Sequence, residues 1–224
     1  MSKPRRGSQV LLQQAVESCP DSILACLRDA KAIAPDETVD WISPVREDGY
    51  REYKDAEFLE KLGLSDRLRT PLSEFWPQSG PRWDGLGITS KGRLVLVEAK
   101  AHIPEAASPG SKATAESSLK LIHNSLEKTR RAIAPRSTAS WKNTFYQYTN
   151  RIAHQYFLSQ INEVESVLIF LNFVNADEMG GPRTIEEWNG AKKLMHCLLQ
   201  LPDNLERIGV FHAFLDANKV PNAA

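Results

Sequence analysis

Long apolar runs are missing from this chain of 224 residues. The longest, Val167 to Val174, is interrupted by Asn172 and falls far short of the roughly 20 residues that span a bilayer. Cysteine is scarce: Cys19, Cys26 and Cys197 are odd in number, and no two form a Cys-x-x-Cys pair. That argues against a disulfide framework or a zinc ribbon and points to a reducing cytoplasm. Net charge is lacking too. The 28 Lys and Arg balance 28 Asp and Glu, so the chain is not a polycation that coats nucleic acid along its whole length. Met1 to Gln9 is polar and basic, with no signal-like apolar stretch after it. Lys3, Arg5 and Arg6 there read as a basic tail. No repeat with a period of tens of residues is visible.

What is present is ordinary for a globular protein: 42% hydrophobic and 25% charged residues, in a length that buries a core without disulfides or a structural metal. One domain is expected, residues 36–224, with residues 1–35 as a helical extension packed on it. In that extension Ser8 caps a helix over Gln9 to Ser18, with Val10, Leu11, Ala15 and Val16 on one face. Pro20 ends it, and Asp21 caps a second helix, Ile23 to Ile33. Trp41 and Ile42 suggest a short strand or turn. Lys54 to Leu62 reads as a helix closed by Gly63.

From Arg82 the pattern changes. Trp83 to Thr89 alternates loosely, and Arg93 to Ala101 is dense in Val and Leu. Ser90-Lys91-Gly92 between them is a tight-turn sequence, so the segment reads as a β-hairpin. A Pro- and Gly-containing loop follows at 103–114. Helices are expected over Glu116 to Ile133 and Trp141 to Gln160. Ser166 to Val174 has the unbroken apolar character of a strand buried on both faces. Thr184 caps a helix to Leu201, and Ile208 to Leu215 is a last strand. This order gives an α/β fold with one central sheet.

The informative residues lie on the hairpin. Acid-x-Lys occurs three times, at Asp29-Ala30-Lys31, Glu52-Tyr53-Lys54 and Glu98-Ala99-Lys100. Only the third ends an apolar strand, where residues two apart share a face. Glu98 and Lys100 therefore point the same way, with His102 a candidate to continue that face. If the turn is the three residues Ser90-Lys91-Gly92, Thr89 faces Arg93 and Asp84 faces Glu98, with Cβ atoms roughly 5 Å apart. A two-residue turn sets Asp84 against Val97, on the wrong face. Two carboxylates that close repel unless a cation sits between them. Oxygen ligands suit Mg²⁺ or Mn²⁺, one or two ions. A nearby lysine holds a water or a phosphate oxygen. Together these parts suit metal-assisted phosphodiester hydrolysis.

Here the sequence resembles the PD-(D/E)xK nuclease superfamily, on Asp84, the hairpin, Glu98-Ala99-Lys100 and the helix before them. Arg82-Trp83-Asp84 stands where that family often has a proline. The segment Tyr146 to His154 is similar to a stretch of uncharacterised bacterial members. The resemblance implies a restriction-endonuclease-like fold, three layers α/β/α around a central mixed sheet, and a Mg²⁺-dependent nuclease acting on DNA more than RNA. It implies metal ligation by Asp84, Glu98 and the Ala99 carbonyl, and water activation by Lys100. It implies an additional acid from the preceding helix, with Glu57 the candidate and Glu52 and Glu60 its rivals. A homodimer is a further expectation of this kind.

Charge is uneven along the chain. Residues 112–142 hold seven Lys and Arg against two acids, and residues 163–187 hold six acids and Arg183. The basic segment makes Lys120, Lys128 and Arg130 candidates for phosphate contacts. His102, Gln147 and Arg151 are candidates of the same kind.

Overall fold

A computed structural model describes residues 7–221; Lys3, Arg5 and Arg6 lie outside them. Two helices come first, α1 (Ser8–Ser18) and α2 (Pro20–Asp29). Pro20 opens the second of these, at a position where a missing N–H costs no intrahelical bond. That helix stops short of Ile33, because the chain turns at Lys31, which has φ 59°. Next come β1 (Val39–Ser43), α3 (Asp55–Lys61) and α4 (Leu72–Phe75), the last too short to show a helical period.

The expected hairpin follows, β2 (Gly85–Thr89) and β3 (Leu94–Lys100). Its turn has three residues: Thr89 N–H donates to the Arg93 carbonyl at 2.8 Å, and Gly92 takes the left-handed conformation at φ 82°. Gly87 has a different task. A Cβ there would stand 2.7 Å from Val39 Cγ1, so glycine lets the neighbouring strand β1 pair closely beside β2.

The expected helix α5 (Glu116–Ile133) has the predicted bounds. The next, α6 (Tyr146–Tyr156), starts later than the pattern suggested and runs on as a π turn over Phe157–Ile161. Trp141 stays outside it, its indole N–H donating to the Leu199 carbonyl at 3.1 Å. Then come β4 (Ser166–Val174), α7 (Ile185–Leu199) and β5 (Val210–Asp216). Thr184 caps α7, its hydroxyl accepting from Glu187 N–H at 3.3 Å.

The strands form one mixed sheet in the order β1-β2-β3-β4-β5, antiparallel through β3 and parallel from β3 to β5. Every residue of β4 is buried, as its apolar run requires. Helices α1 and α2 cover one face, packing Leu12, Ile23 and Leu27 on Val95, Val97, Ile169 and Phe173. The opposite face carries Phe58, Leu126, Ile152, Phe157 and Met195 on Leu96, Leu168 and Phe170. Each fully buried side chain of this kind contributes roughly 1.5–3 kcal/mol. Among the described residues no helix is long and apolar enough to cross a membrane.

Candidate active site

The hairpin register fixes the centre of the site. Gly85 pairs with Val97 and Leu86 with Leu96, so the next residue back, Asp84, comes beside Glu98. Asp84 Oδ2 accepts from the Ala99 N–H at 2.7 Å. A second contact fixes the same turn of chain: Trp83 N–H donates to the Tyr53 carbonyl at 3.0 Å, and the Trp83 ring is fully buried edge-on to Phe58. Along β3 the alternation puts Leu96, Glu98 and Lys100 on one face and Val97 and Ala99 on the other.

Glu98 is 2% exposed and is held at both oxygens. Lys100 Nζ donates to Oε1 at 2.6 Å, and Arg151 Nε donates to Oε2 at 2.6 Å. Arg151 comes from α6. Its guanidinium also donates to Asn150 Oδ1 at 2.8 Å and to the Arg82 carbonyl at 2.7 Å, and stacks over Trp83 at 5.0 Å. Lys100 Nζ makes a further bond to Gln147 Oε1 at 3.3 Å.

Burial and the neighbouring Glu98 charge push the Asp84 carboxyl up to about 8, against the pull of Lys100, the Ala99 N–H and Arg151. Burial opposes ionisation of Glu98 as well, but Arg151 and Lys100 outweigh it and hold that carboxyl below its ordinary value. Burial also opposes the Lys100 charge, and Glu98 and Asp84 overcome it, raising the lysine. At neutral pH the pair therefore carries one proton on Asp84 and one negative charge on Glu98, facing two cations.

This cluster forms part of the wall of a groove of about 1070 Å³. Glu52, Arg82, Asp84, Glu98, Lys100, Glu105, Lys112 and Arg151 all reach it, so acids and bases are balanced along it. Gln147 and Arg151, candidates from the sequence, both line the groove. Other candidates do not. Glu57 is exposed and pairs with Arg51 at 2.7 Å, because its face of the short helix α3 turns to solvent. The acid the structure brings to the groove is its rival Glu52. The Tyr53–Trp83 bridge, continued by one residue, sets Glu52 opposite Asp84. Burial raises its carboxyl, with Glu98 adding to the rise, and Gln9 Nε2 donates to it at 2.7 Å.

His102 leaves the strand face at the end of β3 and lies with Nδ1 3.0 Å from Glu105 Oε1. Lys120 and Lys128 are exposed on α5, away from the part of that helix, Ser118 and Ile122, that lines the groove. Arg130 is tied to Glu127 at 2.5 Å. Of the basic segment only Lys112 reaches the groove, because a helix of that length spreads its charges around its whole circumference.

Among the described residues no three His, Cys, Asp or Glu side chains come together as a metal site. The donor set is two carboxylates and main-chain oxygen. That fits a hard divalent ion which keeps water or substrate oxygens in its remaining positions, as Mg²⁺ does. It does not fit zinc.

Local spacing carried no sign of the cluster of Tyr148, His196 and His212 beside this site. It forms only when α6, α7 and β5 meet over the sheet. No family model, curated protein or solved structure matches the chain.

Proposed function

We propose that the protein is a metal-dependent nuclease of PD-(D/E)xK type, with a restriction-endonuclease-like fold, hydrolysing phosphodiester bonds in DNA. The observation that carries this reading is the placement of Asp84 beside Glu98, with Lys100 bonded to Glu98 at 2.6 Å, on the wall of a groove of about 1070 Å³. Asp84, Glu98 and the Ala99 carbonyl would hold Mg²⁺ or Mn²⁺. When bound, the ion supplies Lewis-acid charge to the scissile phosphate and acidity to water.

The chain's own residues do the rest. Asp84, having lost its proton to solvent, would offer a carboxylate oxygen to the ion. Arg151 keeps Glu98 in one rotamer by a buried charge-assisted bond. Lys100, released from Glu98 Oε1, donates to the attacking water or to a phosphate oxygen. The balanced charge of the groove leaves the attraction for phosphate to these cations and the ion.

A second reading has an observation of its own. Glu98 is already neutralised by Lys100 and Arg151, which is what a nucleic-acid-binding module without catalysis would need. Incubation of purified protein with plasmid, single-stranded DNA and RNA, in Mg²⁺, Mn²⁺ or EDTA, separates the two. The nuclease cuts at least one substrate with the ion and none in EDTA; the module binds without cutting in either.

A further inference from the structure

A second cavity, of about 190 Å³, adjoins the groove and shares Glu98, Lys100, Ala107 and Gln147 with it. Its floor is an extension of the catalytic face. The parallel register aligns Glu98 with Phe170 and Phe170 with His212, and the next row aligns Lys100 with Asn172 and Asn172 with Phe214. Strands lie about 4.8 Å apart, so the aromatic floor over β4 and β5 begins one strand from the acid and the lysine.

The walls are aromatic and fixed. Tyr148 stacks on Phe170 with ring centroids 4.2 Å apart. Its hydroxyl lies 2.8 Å from His196 Nε2 and 3.0 Å from His212 Nε2, donating to one ring and accepting from the other. Trp188 and Ala191 of α7 stand opposite. Three polar side chains also line this cavity: Gln147, Asn172 and Lys192.

We propose that this cavity receives one unstacked nucleobase of the strand whose phosphate lies against Lys100. The subsite rests on the nuclease reading and gives it a substrate feature. Three observations argue for a base. A cavity of roughly 150 Å³ accepts a benzene ring, so this one has room for a single planar ring system and is too small for a helix. Its aromatic lining is what base stacking uses. It shares Glu98, Lys100 and Gln147 with the groove, so it lies next to the lysine that would hold the phosphate.

The test is an abasic scan of the unmodified protein. A short fluorescein-labelled single-stranded DNA is bound in Ca²⁺, to prevent turnover, with the base removed at one position at a time. Removal at one position should weaken binding about tenfold, the lower part of what one stacked base contributes, and removal elsewhere less than about twofold. Ala191→Trp, which fills the cavity from α7, should bind the full strand as weakly as the wild type binds the critical abasic one. If wild type cuts DNA with Mg²⁺ but binds every abasic strand equally, the pocket proposal is overturned and the nuclease reading stands. If it neither binds nor cuts any nucleic acid, the nuclease reading fails and the pocket with it.

Discussion

Replacing Asp84 by Asn should make the metal-free protein more resistant to alkaline pH. Burial and Glu98 lift the Asp84 carboxyl from the ordinary 3.8 to about 8, so between those values the folded state holds a proton that the unfolded state has lost. Stability contributed this way is full at low pH and is lost as pH rises through the folded value. Most of that loss falls below pH 7, where buried histidines act in the opposite direction: burial holds His154 down to about 3 and His196 to about 4, and their unfolded counterparts take up protons. Above pH 7 little of that opposing effect is left, and it is the same in wild type and variant, so it cancels in their difference.

From pH 7 to 8.5 the Asp84 proton alone then costs the wild type about 1 kcal/mol. With a urea dependence of about 2 kcal/mol/M for a chain of this size, the unfolding midpoint falls by about 0.5 M. The Asp84→Asn amide keeps an acceptor for the Ala99 N–H and cannot ionise, so this fall should vanish in the variant. The buried Cys26 thiol, raised to about 12 by burial, adds a decline of the same sign to both proteins and cancels in the difference. Urea titrations followed by far-UV circular dichroism in EDTA measure the effect. Parallel declines of the two proteins from pH 7 to 8.5 would refute the reasoning. Added Mg²⁺ should reduce the decline in wild type, because the ion binds the ionised carboxylate.

Glu98→Gln should lower the melting temperature by about 4–8 °C, as about 2 kcal/mol of stability goes. Breaking a buried ion pair costs roughly 3–5 kcal/mol, and ionisation of Asp84 beside the two freed cations returns part of it. Calorimetric titration of the same variant should show Mg²⁺ binding at least about tenfold weaker. Lys100→Ala should bind Mg²⁺ nearly as well as wild type, and DNA in Ca²⁺ within about tenfold, the worth of one charge-assisted contact. Glu57→Gln should leave stability within about 0.5 kcal/mol and cleavage unchanged, since its pair with Arg51 is exposed. Glu52→Gln should shift the Mg²⁺ concentration for half-maximal cleavage by about twofold or more; equal responses in the two variants would remove Glu52 from the site.

The central geometry was legible because it depends on short-range rules. The three-residue turn at Ser90-Lys91-Gly92 fixes the register, and the alternation of β3 puts Glu98 and Lys100 together. The bounds of α5 and β4 were legible for the same reason: each has an uninterrupted period or apolar run. What escaped depends on tertiary contacts. The resemblance put Glu57 first, with Glu52 and Glu60 as rivals, and the Tyr53–Trp83 bridge, a pairing across about 30 residues, is what sets Glu52 rather than Glu57 opposite Asp84. The start of α6 was misplaced because Trp141 is drawn out by the Leu199 carbonyl. Arg151 was visible only as a long polar side chain; its burial against Glu98 and Trp83 follows from how α6 packs on the sheet. Four of the surface candidates, His102, Lys120, Lys128 and Arg130, do not line the groove, because composition says how much charge a segment carries and not which side of it faces the groove.

The most direct test of the account is single-turnover cleavage by wild type and Lys100→Ala, purified side by side and assayed with the same DNA in Mg²⁺. The account predicts cleavage by wild type that EDTA stops, and a loss of about a hundredfold or more in the variant, the usual worth of a group that assists proton transfer or holds the reacting phosphate. Equal cleavage by the two proteins would place the activity outside this site, and no cleavage by wild type with any ion or substrate would contradict the nuclease reading itself.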